Sequence, residues 1–205
     1  MIKKAILPVA GMGTRFLPVT KSSPKEMLPI IDKPVIQYIV EEAVNSGIEE
    51  IIFVTGKGKR AIEDYFDSDP ELFRTLEMKN KNKEIRELKK LENIAKIAYV
   101  RQAEPLGDGH AILSAAHCIS EGEDFAVLFG DDIIDHSTPA LKQLIQVYEE
   151  RKTSIIGVQE IHGKEIENYG VVSGRKNDGI INVDALVEKP KYEEAPSRYG
   201  IIGKY

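Results

Sequence analysis

The chain has 205 residues and a formal net charge of −5, from 28 Lys and Arg against 33 Asp and Glu. Hydrophobic residues make up 42% and charged residues 30%, the balance of a folded domain with its own core. One cysteine, Cys118, excludes an internal disulfide framework; the acidic balance excludes a broad basic surface for nucleic acid; and no apolar run nears the roughly 20 residues of a membrane span.

The N-terminus has a basic start but soon meets Pro8, Gly11 and Arg15, so it does not read as a signal peptide, and a cytoplasmic location is expected. Residues 5–9 form an apolar run too short for a helix. Val35, Ile36, Ile39, Val40, Ala43 and Val44 recur at helical spacing, and Gly47 stands where a C-cap belongs. Residues 50–55 predict a second buried strand. Ala61, Ile62, Tyr65 and Phe66 mark a helix that closes before Pro70. Residues 79–90 carry only Ile85 and Leu88 as apolar side chains and read as a solvated surface helix. Residues 97–101 follow as strand, 111–118 as helix. Residues 125–129 form an apolar strand without alternation, so both its faces are expected to be covered. Leu141, Leu144, Ile145 and Tyr148 predict a further helix, and residues 154–158 a strand. Residues 170–174 and 180–187 predict a hairpin about the turn Lys176-Asn177-Asp178-Gly179.

Repeated alternation of strand and helix predicts an α/β fold. It is Rossmann-like, with a mostly parallel central sheet, helices on both faces and a small β-hairpin region. Right-handed crossovers place the loops after Val9, Arg101 and Phe129 on one edge. The last five residues, Ile201-Ile202-Gly203-Lys204-Tyr205, read as the start of a buried strand. The chain is therefore expected to be a shortened piece of a longer protein.

Several short segments carry candidate chemistry. Ala10-Gly11-Met12-Gly13-Thr14-Arg15 follows the first strand, and its glycines let backbone N–H groups approach a phosphate or base edge. Phe16 breaks the dinucleotide pattern G-x-G-x-x-G, and no Gly-Lys-Ser/Thr exists for a P-loop. Gly56-Lys57-Gly58-Lys59 reads as a plain strand-to-helix turn. Pro24-Lys25-Glu26-Met27-Leu28-Pro29 holds one lysine on a stiff segment, suited to clamping polyphosphate and equally to an ordinary surface position. Asp131, after an apolar strand, is either a turn former or a seat for a hard cation. Glu188-Lys189 before Pro190 is on spacing alone a surface ion pair. His110 and His117 lie too far apart for a compact metal pair and read as helix packing.

Together, and in order, these segments resemble the bacterial UTP–glucose-1-phosphate uridylyltransferases, members of the sugar-1-phosphate nucleotidyltransferases. The likeness runs through Asp32-Lys33-Pro34-Val35-Ile36-Gln37-Tyr38, Arg101-Gln102-Ala103-Glu104-Pro105-Leu106-Gly107-Asp108-Gly109-His110, Gly130-Asp131-Asp132, Asn168-Tyr169-Gly170-Val171-Val172 and Val187-Glu188-Lys189-Pro190. It implies one catalytic domain over residues 1–205, with a nucleotide-binding core at 1–160 and the start of a sugar-binding part at 161–205. It implies that Ala10 and Gly11 face the nucleoside, and that Gly13, Thr14 and Arg15 wrap the triphosphate. Lys25 would hold the phosphates, with Glu26 among the nucleotide contacts. Gln102 and Gly107 would read uracil, an amide that donates and accepts matching an imide edge. Asp131 would hold Mg2+. Gly170, Glu188 and Asp132 would bind the sugar, and Lys189 its phosphate, so that Arg15, Lys25 and Lys189 form the catalytic set.

The implied reaction joins UTP and glucose 1-phosphate into UDP-glucose and pyrophosphate. A homo-oligomer is implied for the full-length protein. Two rivals stand beside this reading: a glucose-1-phosphate thymidylyltransferase, and a truncated nucleotide-sugar-binding protein with little turnover.

Overall fold

A computed structural model describes residues 1–205. The chain forms two compact units, Met1–Ile145 and Gln146–Tyr205.

The first unit opens with β1 (Lys4–Pro8), then a two-strand ribbon, β2 (Pro29–Ile30) and β3 (Lys33–Pro34). It continues through α1 (Val35–Asn45), β4 (Glu50–Thr55), α2 (Arg60–Phe66), α3 (Pro70–Met78), α4 (Asn82–Glu92), β5 (Lys96–Arg101), α5 (Asp108–Ser114) and β6 (Phe125–Val127). Four strands pair in the order β5-β4-β1-β6, all parallel. Consecutive residues of the two central strands, Ala5-Ile6-Leu7 and Ile51-Ile52-Phe53-Val54, are buried without alternation. Both faces of the sheet are therefore covered, as a parallel sheet flanked by helices requires. Phe53 anchors the packing, stacking on Phe66 at 5.4 Å and on Tyr99 at 5.8 Å between ring centroids. Helix α1 buries Ile36, Ile39, Val40 and Ala43 along one stripe. Its end is closed by Gly47 at φ 100, with Ile48 N donating to Ala43 O and Gly47 N to Val44 O. That double closure needs the left-handed backbone glycine supplies.

The remainder of the chain holds α6 (Ala140–Arg151), β7 (Val158–Glu160), β8 (Gly170–Asn177), β9 (Ile180–Glu188) and β10 (Tyr199–Ile201). The four strands form a separate antiparallel sheet in the order β7-β10-β8-β9. Asp178 at φ 48 and Gly179 at φ 80 close the β8–β9 hairpin, the paired positive angles of a two-residue turn. Ile161, Ile166 and Val171 form the core of this unit, with Tyr169, Tyr192 and Ala195 packed around them.

Several expectations need correction. The strand placed at 154–158 is displaced: β7 begins at Val158, and Gly157 joins the C-terminal residues instead, donating to Lys204 O and accepting from Ile202 N. The predicted hairpin is present as β8–β9 and belongs to a larger four-stranded sheet. The helix expected to close before Pro70 does so, ending at Phe66, but the sequence reading lacked the helix that follows: Pro70 opens α3 at its first position, where a missing N–H costs nothing, with Asp69 capping Leu72 N. The surface helix starts later than residue 79, because Asn80 at φ 53 separates α3 from α4. Phe125 at the start of β6 is 37% exposed, so that strand is covered on both faces only from Ala126 onward. No helix is long and apolar enough to cross a membrane.

Replacing Phe53 by Ala removes two ring stacks and leaves a cavity in the central strand. Phe53→Ala is expected to lower stability by about 3–5 kcal/mol, read as a shifted urea midpoint by circular dichroism; a shift worth under about 1 kcal/mol would contradict this packing.

Candidate active site

From β1 the chain crosses outward to β4 and β5, then returns to the opposite side of β1 as β6. With right-handed crossovers the connections leave on opposite faces, and a crevice opens between the loops following β1 and β6. Hydrogen bonds continue the ladders past the strand ends: Val9 N to Val54 O, Gln102 N to Thr55 O and Leu128 N to Ile6 O. The loops after Val9, Arg101 and Phe129 accordingly leave from one edge.

Several residues of the first unit meet there. Gly13 sits at φ 65, and a Cβ added to it would lie 3.2 Å from Thr20 Cγ2 and 3.3 Å from Lys25 Cβ. Thr20 Oγ1 donates to Gly13 O at 2.8 Å and pins the loop. Thr14 and Arg15 follow in a single 3-10 turn, exposed, and Arg15 forms no ion pair. Gly11 is open on its Cβ side, and Ala10 is half-buried. Lys25 Nζ donates to Asp131 Oδ2 at 2.6 Å, a pair still reachable by solvent. Gly130 lets the Asp131 loop sit low: a Cβ there would meet Val9 Cγ1 at 2.8 Å and Glu26 Cγ at 3.1 Å. Asp132 is half-buried and engaged within the chain.

Glu26, expected among the nucleotide contacts, is turned inward. Its side chain is 1% exposed, and its Oε2 accepts from Lys59 Nζ at 2.8 Å. Lys59 belongs to the turn that sequence alone reads as structural.

Gln102 is also buried, and its amide is spoken for. Its Nε2 donates to Gly107 O at 3.1 Å and lies 3.0 Å from His110 Nδ1. A carbonyl oxygen only accepts, so the amide nitrogen must face Gly107. The second amide hydrogen then meets His110 Nδ1, which puts the imidazole proton on Nε2. Both donors are consumed, and Oε1 alone is left to read a ligand. The expected donor-and-acceptor amide is thus an acceptor only. His110, read from sequence as helix packing, is the residue that fixes this. The i+8 spacing across a glycine turn was the available signal.

In the second unit, Gly170 and Glu188 are direct partners across the β8–β9 ladder. A Cβ on Gly170 would lie 3.3 Å from Glu188 Oε2. Lys189 follows at φ 44, a left-handed backbone uncommon for a residue with a side chain. Its N–H donates to Tyr169 O, and its Nζ lies 2.8 Å from Glu188 Oε1. Non-glycine residues held this way concentrate at ligand clamps.

No cluster of three or more His, Cys, Asp or Glu side chains exists to cage a metal. Asp131 offers one partly exposed carboxylate beside a cation-lined crevice. A single carboxylate is the donor set that suits a small hard divalent ion shared with ligand phosphates.

Comparison with known proteins agrees with this geometry. The nucleotidyl transferase family model matches residues 4–205. A UTP–glucose-1-phosphate uridylyltransferase of Bacillus subtilis (strain 168) is 54% identical over 205 residues, covering 100% of this chain and 70% of the relative. A UTP-bound UGPase from Acinetobacter baumannii superposes with a TM-score of 0.90 at 43% identity, covering 100% of this chain and 74% of that one. A UDP-glucose pyrophosphorylase complexed with UDP-glucose gives a TM-score of 0.87 at 42% identity, with 100% and 75% covered. On the family match across nearly its whole length, and on the arrangement of its strands and loops, this chain belongs to the nucleotidyl transferase family.

Proposed function

We propose that this protein is a UTP–glucose-1-phosphate uridylyltransferase, forming UDP-glucose and pyrophosphate. The observation that carries the reaction class is the Lys25–Asp131 pair at the reversal of strand order, where an anion-seeking ammonium and a cation-seeking carboxylate share one crevice. The identity of the substrates is supported by the likeness to uridylyltransferases over the full chain.

The chemistry is a displacement at phosphorus. A phosphate oxygen of glucose 1-phosphate attacks the α-phosphorus of UTP, and the bond to the bridging oxygen of the β-phosphate breaks. Pyrophosphate leaves with that bonding pair. The attacking phosphate is already ionised, since its second pKa is about 6, so no general base is required. The difficulty is bringing two polyanions together. The backbone of Gly11 is assigned to the nucleoside, Gly13, Thr14 and Arg15 to the triphosphate of UTP, and Lys25 to its phosphates. Ala10 lies beside the nucleoside. Gly170, Glu188 and Asp132 are assigned to the sugar, and Lys189 to the sugar phosphate. Mg2+ held by Asp131 would supply charge neutralisation on the phosphates.

Base selection follows from Gln102. An acceptor-only Oε1 matches the N3–H of uracil and opposes the bare N3 of cytosine. Thymine carries the same N3–H, so this residue does not separate UTP from dTTP. Glu26 acts from beneath the nucleotide segment and is not assigned a ligand contact.

Pyrophosphate release is measured with glucose 1-phosphate and UTP, dTTP or CTP. UTP is expected to be turned over best, with CTP disfavoured by at least about a hundredfold in kcat/KM. His110→Phe, which removes the acceptor for the second amide hydrogen, is expected to shrink the UTP-over-CTP ratio by roughly tenfold. An unchanged ratio would show that the imidazole does not orient the amide. Lys189→Ala is expected to lower kcat by about a hundredfold while UTP affinity by calorimetry stays nearly constant. Equal losses in both would remove Lys189 from the sugar phosphate. Asp131→Ala is expected to abolish the magnesium dependence of UTP binding, and a retained dependence would move the metal to other ligands.

A further inference from the structure

The turn at residues 56–59 carries a lysine that the proposed reaction does not use. Lys59 reaches 33 positions back along the sequence to Glu26, Nζ to Oε2 at 2.8 Å, with side chains only 5% and 1% exposed. A buried ion pair gives up the hydration of both charges, and an apolar pair of equal volume holds a fold as well or better. The pair therefore calls for an explanation other than stability.

Three contacts of the first unit supply it. Glu26 directly follows Lys25, whose ammonium holds Asp131. Glu26 Cγ packs under Gly130, 3.1 Å from where a Cβ would stand, immediately before Asp131. Gly56, in the same turn as Lys59, lies against Ala10, whose carbonyl oxygen would be 3.1 Å from an added Cβ. One short turn thus bears on the glycine loop through Gly56, and through Lys59 on the segment presenting Lys25. Lys25, in a single 3-10 turn, and Asp131, in the loop after β6, stand 106 positions apart, so their register depends on what lies below them.

We infer that Lys59 is a positioning residue: its buried pair with Glu26 fixes the backbone that presents Lys25 and Asp131 to the nucleotide phosphates. Neither Lys59 nor Glu26 touches substrate. The inference rests on the uridylyltransferase reading for its rate and UTP-affinity measurements, and not for the exchange measurement.

The parent chain, Lys59→Met, Glu26→Leu and the double variant, in which an apolar pair replaces the ion pair, are compared for melting temperature, UTP affinity in magnesium buffer and kcat. The double variant removes both charges and is expected to melt within a few degrees of the parent, whereas Lys59→Met alone melts lower. Its kcat is nevertheless expected to stay down by at least about thirtyfold, with UTP affinity changed by less than about threefold, since small misplacements weigh on the transition state more than on binding. Recovery of kcat together with melting temperature overturns the inference, because the pair then only holds the fold. Equal losses of affinity and kcat overturn it too, because one of the two residues is then a ligand contact. If the double variant does not fold, Lys59→Arg keeps the charge and moves its position: a folded protein with kcat down about tenfold supports the inference, and unchanged kcat overturns it. A parent chain that releases no pyrophosphate defeats the functional reading and not the pair. Amide hydrogen exchange then decides: faster exchange at residues 25–27 and 130–131 in the folded variant, with β4 unchanged, supports positioning, and identical exchange overturns it.

Discussion

Parallel strands place all their carboxyl ends on one edge, and a reversal of strand order is the one place where the covering helices part. In this chain that place lies between β1 and β6. The glycine loop and the Lys25–Asp131 pair follow from it, while Gln102 emerges from the same edge of the sheet at β5. The loop after β1 needs glycine because its backbone approaches Thr20 and Lys25 closely, and the loop after β6 needs Gly130 because it rests on Val9 and Glu26. The apolar strands do not select a ligand. They fix where two polar loops emerge, and the loops do the rest.

The second constraint is charge. A chain with a net charge of −5 offers no general attraction to a polyanion, so binding must come from a few cations held in place. Arg15 stands exposed at the glycine loop. Lys25 rides on a segment stiffened by Pro24 and Pro29, with Pro24 buried. Beneath them the buried Lys59–Glu26 pair contributes no net charge to the crevice, yet ties the β4 turn to the Lys25 segment. On the readings proposed above, the surface cations would attract the ligand, and the buried pair would set where Lys25 stands.

Much of this was legible in the sequence, and what escaped has a common cause. Residues 50–55 form β4 as expected because an unbroken apolar run leaves no other burial solution. Helix α1 and its glycine closure follow from a stripe and a breaker that both act locally. Helix α3 escapes because Pro70 reads as a stop when it is seen from α2, which ends at Phe66, while Asp69 and Pro70 together form a helix start. The strand near 158 slips because its partner, β10, lies about forty residues later, and pairing sets its bounds. His110 and Lys59 look ordinary in the sequence for the same reason. Their meaning lies in Gln102 and Glu26, and a distance of 3.0 or 2.8 Å to a side chain elsewhere in the sequence leaves no periodic trace. Motif order identified the family; it did not indicate that Glu26 faces inward or that the Gln102 amide has spent its donors.

The two units share a device that bears on selectivity. In each, the lysine assigned to a phosphate rests on a carboxylate assigned to something else: Lys25 on Asp131, and Lys189 on Glu188. Both pairs are open to solvent, so a lone inorganic anion that captured such a lysine would leave a hydrated carboxylate at small cost. A ligand that brings a phosphate and also a donor for the carboxylate satisfies both groups at once. On the assignments proposed above, a triphosphate travelling with a divalent cation would do this for Lys25 and Asp131, and a sugar phosphate, whose hydroxyls donate, would do it for Lys189 and Glu188. A simple phosphate would engage only the lysine of each pair, so each pair favours a ligand that carries both kinds of group.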